Sequence, residues 1–302
     1  MMLGRTVRPS INAVAKQAVG ASNPQAQAQR NMATLREIEQ RLKSVRNIEK
    51  ITKSMKMIAA TKLNKAQRAV VSAKAYGAAN GEVFKNSEVV EPEGGSKLYV
   101  VISSDKGLCG GIHSSVSKAT RRAVIEDEAK STNVHVMIVG DKSKAQLSRV
   151  IPDKIDMTFN GVGKDIPTFA DASSIADMIL TSGVKFDSVH LVYNKVISAI
   201  AFEAAIASVF GEASLRNSPN FKSYEMEDDA TKDLAEFALA NAIYAVLVEG
   251  HAAEINSRRN AMDNASKNAG EMIGSLQLKY NRGRQAVITN ELIDIITGAS
   301  AL

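Results

Sequence analysis

The stretch SSDKGLCGG, residues 103–111, holds the residue types that could do chemistry in this chain. It follows the apolar run 98–101 and precedes a segment that reads as a helix. Glycine-rich turns between a strand and a helix form the phosphate-binding loops of many nucleotide-binding proteins. Asp105, Lys106 and Cys109 are the side chains that would act there.

Two familiar phosphate-binding patterns do not fit this loop. A Walker A loop needs Lys and then Ser or Thr directly after its last glycine, whereas Ile112 and His113 follow Gly111. The glycines also miss the GxGxxG spacing of a dinucleotide fingerprint, and Asp105 would repel a phosphate. We therefore favour a structural turn or a protein-contact surface. A nucleotide-dependent α/β enzyme with a helical arm is kept as the alternative.

Neither cysteine nor histidine chemistry is favoured. Cys109 is the only cysteine, so the chain has no internal disulfide and suits a reducing compartment. Lys106 would lower the pKa of this thiol, but only His113 is close to it in sequence, so we do not expect a catalytic nucleophile. The four histidines lie far apart without a second ligand at metal spacing, so we predict no metal site and no cofactor.

The first thirty residues are basic and lack acidic side chains. They contain four basic residues and no Asp or Glu, which fits a mitochondrial transit peptide better than a secretory signal with its continuous apolar core. We therefore set residues 1–32 aside as a transit peptide, with a disordered basic tail as the alternative. The longest apolar stretch, 237–248, contains Asn241 and is too short to span a bilayer. We expect a chain that is at most peripheral to a membrane.

Residues 33–85 are predicted to form a long helix. The segment 33–76 has no Gly or Pro, and Thr34 with Glu37 would cap its start. Apolar side chains recur at spacings of three and four residues, which are coiled-coil steps with one stammer near Ile48. They are Leu35, Ile38, Leu42, Val45, Ile48, Ile51, Met55 and Ile58. A helix of this length needs a partner.

A second long helix is predicted over residues 225–302. The chain has no proline from Asp228 to Thr297, but each glycine in this segment would weaken an isolated helix by about 1 kcal/mol. Close packing against another backbone would offset that cost. Two long helices at opposite ends of one chain most simply form a long antiparallel coiled coil.

Between these helices, residues 95–212 alternate between strand-like and helix-like segments. Strands are predicted at 97–103, 134–140 and 188–193, and helices at 113–126, 143–150 and 169–181. The segment 198–210 fits either a strand or a helix. The predicted fold class is therefore α/β, with a Rossmann-like α/β domain and a coiled coil formed by the N- and C-terminal helices.

Four motifs, in the same order, resemble the gamma subunits of F-type ATP synthases. They are KITKSMKMIAATKLNKAQ in the first helix, SDKGLCG after the first strand, SRRNAMDNASKNAG in the last helix and ITNELIDIITGASA at residues 288–301. The resemblance runs from about Ala33 to Leu302, and with the transit-like leader it implies the mitochondrial form. Lys106, where many relatives have arginine, affects only loop detail.

The resemblance implies a rotor, the central stalk of a proton-driven ATP synthase, peripheral to the mitochondrial inner membrane on its matrix side. In this family the two end helices turn inside a ring of alpha and beta subunits, and the α/β domain lies at the foot, near the membrane c-ring. The delta and epsilon subunits are the other expected stalk partners. Because the family makes ATP on the beta subunits, the resemblance implies a non-catalytic chain without a cofactor.

The resemblance also implies contact residues. Arg284 and Gln285 match positions that hydrogen-bond a beta subunit, and Thr289 lies one turn above Gln285. Arg258 matches a second beta contact. Arginine suits a contact that forms and breaks in every turn, because its guanidinium pairs bidentately with carboxylates. The alternative is that Arg258 and Arg284 are solvated surface residues.

The first helix is strongly basic. Residues 33–76 carry eleven basic and three acidic side chains, a net charge of +8. Such a helix could bind nucleic acid, but it has no aromatic residue before Tyr76 to stack on bases, so we expect no nucleic acid partner. The resemblance instead places a basic belt near acidic beta-subunit loops, where attraction would transmit torque. The belt consists of Lys50, Lys53, Lys56 and Lys62.

Overall fold

The computed structural model describes residues 24–89, 95–130, 132–198, 201–225 and 228–301. The predicted leader, residues 1–32, lies mostly outside these ranges, and its role as a transit peptide stays a prediction. The chain divides into two compact units, one of residues 47–270 and one of residues 1–46 with 271–302.

Two long helices open and close the described chain. Helix α1 spans Pro24–Asn86 and helix α6 spans Thr231–Ser300. α1 begins before the predicted start because residues 25–32 are mostly good helix formers and proline suits a first helical turn. Thr34 therefore lies inside the helix, and its predicted capping role is wrong. α6 begins where Asp229 accepts hydrogen bonds from the amide and the hydroxyl of Thr231.

Within residues 47–270, α1 and α6 pack antiparallel. Lys56 of α1 pairs with Asp263 of α6 at 2.6 Å, while Lys74, later on α1, pairs with Glu249, earlier on α6, at 2.9 Å. The two helices share a cluster of apolar side chains, Ala59, Leu63, Ala66, Ala252 and Ile255. The predicted antiparallel pairing is confirmed.

The other unit shows the same antiparallel order. Arg46 donates a hydrogen bond to Gln277 at 3.1 Å, and Leu35, earlier on α1, lies beside Gly283, later on α6. A Cβ at Gly283 would come within 2.8 Å of the Leu35 side chain. Glycine therefore allows close packing of the α6 backbone on a side chain of α1. The packing against another backbone that was predicted for these glycines is not observed at Gly270 and Gly274, where a Cβ would have no such neighbour within 4 Å.

The buried side of α1 differs from the predicted seam. Ile48, Ile51 and Ile58 are 52%, 59% and 58% exposed, so these three seam positions are wrong. Smaller side chains replace them, because they let two helix axes approach more closely. The predicted seam positions Leu42 and Val45 are buried. From Val45 onward the buried positions Thr52, Ala59, Ala66 and Ala73 recur every seven residues without the predicted stammer, and Leu63 is buried between them.

The α/β domain contains one five-stranded sheet. Its strands are β1 (Lys97–Ile102), β2 (Val134–Val139), β3 (Ile155–Phe159), β4 (Ser188–Val196) and β5 (Phe202–Phe210). Their spatial order is β3-β2-β1-β4-β5, with the first four parallel and β5 antiparallel to β4. The ambiguous segment 198–210 thus contains a strand. β3 was not predicted, because it is short and only Phe159 in it is buried.

Helices cover both faces of the sheet. Besides α6, the domain contains α2 (Ile112–Ala129), α3 (Asp141–Leu147), α4 (Phe169–Thr181) and the short α5 (Glu212–Arg216). α4 and α6 pack on one face, where Ile175 and Ile243 meet strand residues such as Met137. α2 and α3 pack on the other face through Val116 and Leu147. α6 therefore belongs to the core of the α/β domain as well as to the helix pair.

Candidate functional site

Residues 103–111, here called the foot loop, lie at the carboxyl edge of the sheet. β1 ends at Ile102 and α2 begins at Ile112. The strand order reverses beside β1, because β2 lies on one side of it and β4 on the other. Ligands of open α/β sheets bind at such switch points. The foot loop is therefore where this fold would place a nucleotide.

Helix α6 fills that crevice. A cavity of about 20 Å³ remains beside the ends of β1 and β4, which is room for about one water molecule and not for a nucleotide. Gly250 of α6 lies against Ile102, whose side chain would be 3.5 Å from a Cβ at that glycine. The polar side chains that line the cavity are Ser103, Ser104, His113, Asn194, His251 and Glu254.

Asp105 occupies backbone amides that a phosphate would need. Its Oδ1 accepts the N–H of Asp141 at 3.0 Å, at the start of α3, and its Oδ2 accepts the N–H of Gly161 at 2.8 Å. Gly140, just before α3, has φ +103°, and a Cβ there would lie 2.7 Å from the Ser104 nitrogen. This close approach requires glycine and holds the turn against the foot loop. Asp105 is thus a structural link between three loops.

Helix α6 also fixes the foot loop from the other side. Ser257 Oγ donates to the carbonyl oxygen of Cys109 at 2.5 Å. The guanidinium of Arg258 lies 3.4 Å from the carbonyl oxygen of Gly107 through both Nε and Nη2, and it is paired with the Glu254 carboxylate. The side chains of Arg258 and Glu254 are only 16% and 8% exposed. Arg258 is therefore not a solvated surface residue.

Two members of this arrangement were missed in the sequence. Glu254 precedes Arg258 by four residues on a helix, a spacing that favours an ion pair and could have revealed the pair. Ser257 has no such signal, because its partner is a backbone carbonyl distant in sequence. The structure thus brings Arg258 to the loop of Asp105, Lys106 and Cys109, although it was predicted for a different contact.

Cys109 and His113 form a close but inert pair. Cys109 Sγ lies 3.0 Å from His113 Nε2, the geometry of a thiol nucleophile and its base. Burial, and then the charge of Glu254, raise the pKa of Cys109 to about 11, so Lys106 does not lower it as predicted. Burial also lowers the pKa of His113 below its usual value. Both groups stay neutral near pH 7, which removes the thiolate that nucleophilic catalysis needs.

The tip of the foot loop faces outward. Leu108 is 63% exposed and has φ +62°, which is uncommon for a side chain of this size. Lys106 Nζ donates to the carbonyl oxygen of Lys164 at 3.5 Å. A loop held in place by several hydrogen bonds and presenting an exposed leucine is suited to contact another protein.

The basic belt divides into two pairs. Lys56 is bound to Asp263 at 2.6 Å, and Lys62 lies 3.5 Å from Asp165, a longer and more exposed contact. Lys50 and Lys53 are exposed on α1. No ion pair involves these two lysines within the ranges that the structure covers. Lys56 and Lys62 thus contact acidic side chains of this chain, whereas Lys50 and Lys53 are open to a partner protein.

The predicted contact residues near the C-terminus belong to the other compact unit. Arg284, Gln285 and Thr289 are exposed on α6, and Thr289 Oγ1 donates to the carbonyl oxygen of Gln285 at 2.8 Å. The apolar side chains beyond them are also exposed, among them Leu292 at 53% and Ile295 at 67%. This end of α6 is an apolar surface with polar residues on the turns before it.

The described ranges contain neither a metal site nor a membrane-spanning helix. No cluster of three or more His, Cys, Asp or Glu side chains there is arranged to hold a metal ion. No helix there has the length and hydropathy needed to cross a bilayer.

Comparison with known proteins agrees with this geometry. The family model described as ATP synthase matches residues 34–302. The mitochondrial ATP synthase subunit gamma of Yarrowia lipolytica is 54% identical over 276 residues, covering 91% of this chain and 94% of the relative. The corresponding proteins of Saccharomyces cerevisiae and Rattus norvegicus are 46% and 42% identical, covering 90% and 89% of this chain and 90% and 100% of the relatives.

Solved structures show the same fold. A chain from the central stalk and c-ring of the Tetrahymena thermophila mitochondrial ATP synthase has a TM-score of 0.61 and 28% identity, covering 72% of this chain and 99% of that chain. A chain of the Euglena gracilis mitochondrial ATP synthase has a TM-score of 0.71 at 21% identity, covering 89% of this chain and 94% of that chain, and supports the fold alone. On these matches and on its architecture, the chain belongs to the family of ATP synthase gamma subunits.

Proposed function

We propose that this chain is the central-stalk rotor of a proton-driven ATP synthase, and that its rotation couples proton flow to ATP synthesis. One observation carries the proposal: α6 serves both the sheet and the helix pair. Ile243 and Leu247 are buried in the sheet core, and Ala252 and Ile255 pack on α1 a few turns later. Torque on the α/β domain would reach the helices through close-packed side chains rather than a flexible linker.

We infer that the chain carries no ATP chemistry of its own. The crevice beside β1 is filled by α6, and Asp105 occupies amides that would otherwise bind phosphate. We assign ATP synthesis to beta subunits, in a ring that they form with alpha subunits. The alternative nucleotide-dependent enzyme would need space at the foot loop that α6 takes up.

Coupling requires that the rotor contact each state of the beta subunits differently, because only differential contacts shift a conformational equilibrium. Arg284, Gln285 and Thr289 are exposed and are the contacts we assign to a beta subunit. Arg258 is bound to Glu254 and Gly107. We therefore give Arg258 a positioning role, in which it holds the foot loop for a partner.

The belt contributes to torque, on this proposal, through Lys50 and Lys53. Both are exposed and would attract acidic loops of the beta subunits without first breaking an ion pair inside the chain. Lys56 would have to leave Asp263, to which it is bound at 2.6 Å. The attraction of exposed charges is screened by salt, so this part of the coupling would weaken at high ionic strength.

The remaining partners follow from the same family. We propose that the α/β domain contacts the delta and epsilon subunits and the membrane c-ring, and that the foot loop, through Leu108, takes part in these contacts or in those with beta. The chain would lie on the matrix side of the mitochondrial inner membrane as a peripheral protein. Residues 1–32 would be removed on import.

Reconstitution tests the rotor function directly. Purified alpha and beta subunits are mixed with and without residues 33–302 of this chain, and ATPase activity is measured together with the mass of the complex. We expect sustained ATP hydrolysis by a complex of three alpha, three beta and one copy of this chain. A folded chain that neither assembles nor activates would contradict the proposal.

The belt is tested in the complete, membrane-bound enzyme. Charge reversal by Lys50→Glu together with Lys53→Glu should lower ATP-driven proton pumping more than ATP hydrolysis. Lys118→Glu reverses an exposed charge on α2 and serves as the matched control. Equal pumping by the double variant and the control would show that the belt has no torque role.

A further inference from the structure

A second site lies in the unit of residues 47–270, apart from the foot loop. It is a cleft of about 510 Å³ between the last turns of α1, strands β4 and β5, and α6. It shares no lining residue with the small cavity beside the foot loop. Clefts of roughly 300–1,000 Å³ are typical of small-molecule sites, and the rotor function proposed above does not use this one.

The walls of the cleft are mostly small and apolar. Gly77 of α1 touches Ala245 of α6, where a Cβ on the glycine would come within 3.3 Å. Other alanines of α6, including Ala238 and Ala242, leave open space along the same helix. The aromatic rings of Phe84 and Phe210 also line the cleft. These walls suit a ligand with a flat or compact apolar body.

The side chain of Asn241 lacks the hydrogen-bond partners that a buried polar group normally has. Asn241 is 3% exposed, and neither its amide nitrogen nor its amide oxygen has a hydrogen-bond partner among the described residues. An unsatisfied buried group costs about 1–3 kcal/mol, and the large majority of such groups are satisfied. Both atoms are closed off from solvent as the side chain stands, so an occupant of the cleft would reach this donor and acceptor after the Asn241 side chain turns toward it.

The charges around the cleft cancel. Lys74 Nζ lies 2.9 Å from Glu249 Oε1, in an ionic contact without the alignment of a hydrogen bond. Lys85 and Glu88 add one charge of each sign. Burial, and then the charge of Glu249, raise the pKa of Tyr193, so this side chain is neutral near pH 7. No net charge is left to attract an anion or a cation.

We propose that this cleft binds a neutral, mostly apolar small molecule with an amide-like edge, such as a lactam or a cyclic imide, whose donor and acceptor pair with the side-chain amide of Asn241. The apolar walls hold the body of the molecule. Asn241 sets its orientation, because both of its polar atoms must meet complementary atoms at once.

The test uses the full chain and quinolin-2(1H)-one, a flat bicyclic lactam, titrated by ligand-observed NMR. N-methylquinolin-2-one has the same ring and carbonyl but lacks the N–H donor. We expect saturable binding of the lactam and at least about fivefold weaker binding of the N-methyl compound, the loss of one hydrogen bond of about 1 kcal/mol.

Three variants locate the binding. Asn241→Leu should weaken binding of the lactam by about tenfold or more, since it removes two hydrogen bonds. Ala242→Phe should abolish binding by filling the cleft. Asn268→Leu is the control: it replaces Asn by Leu at an exposed position of α6, and this variant should bind the lactam as tightly as the original chain does.

Several outcomes would overturn the proposal. They are the absence of saturable binding to the folded chain at millimolar lactam, equal binding to the Asn241→Leu variant, and equal binding of the two compounds to the original chain. The last comparison needs no variant, so it decides the question even if a substitution in the cleft prevents folding.

Discussion

The hydroxyl of Ser257 donates to the carbonyl oxygen of Cys109 at 2.5 Å, across 148 positions of sequence. The next residue on α6, Arg258, holds the carbonyl oxygen of Gly107. Two consecutive side chains of the last helix thus fix two nearby points of the foot loop. The loop is therefore anchored to this part of α6, and a force on the loop is transmitted to the helix.

Removing the guanidinium of Arg258 should destabilise the chain. Arg258→Ala leaves the buried Glu254 carboxylate unpaired, and we expect a loss of ~3 kcal/mol in the free energy of unfolding, measured by urea denaturation. Adding Glu254→Gln should recover part of the loss. Arg149→Ala, at an exposed position, is the control and should change stability by less than about 0.5 kcal/mol. An equally small loss for Arg258→Ala would contradict the role of the ion pair.

Two glycines with positive φ angles should respond differently to alanine. Gly140 has φ +103° and a Cβ there would lie 2.7 Å from the Ser104 nitrogen, whereas Gly161 has φ +81° with no atom within 4 Å. We expect Gly161→Ala to cost about 1 kcal/mol for its left-handed backbone alone. Gly140→Ala should cost ~3 kcal/mol or more because a backbone clash is added. Equal thermal midpoints for the two variants would show that the foot loop can move away from the turn.

The thiol of Cys109 should be almost unreactive in the folded chain. With its pKa raised from 9.0 to about 11, the thiolate fraction at pH 8 falls about 100-fold, and burial adds a steric barrier. A disulfide reagent such as Ellman's reagent should therefore modify the folded chain at least about 100-fold more slowly than the chain in 6 M guanidinium. Complete modification of folded protein within minutes would be inconsistent with this environment.

Stability should fall on mild acidification. Burial lowers the pKa values of His113 and His251 below 6.5, so the unfolded chain binds protons first as the pH drops. The contribution of each histidine is complete above pH 6.5 and decreases below it, by up to about 1.4 kcal/mol per pH unit. Urea denaturation at pH 7.5 and pH 5.5 measures the difference, which His251→Gln should reduce. A stability that is flat between these values would argue against buried neutral histidines.

Sequence patterns sufficed where local signals were strong. The range 169–181 was predicted for α4 and is observed, because an apolar helical period coincides with a capping box in which Thr168 and Asp171 bond each other's backbone amides. The central strands β1, β2 and β4 were also predicted, since each is a continuous apolar run. The two long helices were predicted because residues 33–76 and 228–297 are long stretches without proline.

The sequence predictions failed where the tertiary neighbours of a residue decide whether its side chain is buried or bonded. The seam of α1 was assigned to the large residues Ile48 and Ile51, but close helix packing buries Thr52 and Ala59 instead. The hydroxyl of Thr52 is satisfied by carbonyl oxygens of its own helix, which no apolar pattern can reveal. The link from Asp105 to two backbone amides is likewise invisible in sequence, because its partners could be any residues.

The placement of α6 on the sheet has a consequence for biosynthesis. Leu239, Ile243 and Leu247 complete one face of a sheet whose first strand starts at Lys97. During translation α4 can cover only part of that face, and the rest stays uncovered until the ribosome has released the beginning of the last helix. The α/β domain therefore reaches its native core only near the end of synthesis, and the nascent chain presents an apolar sheet that chaperones must shield from aggregation.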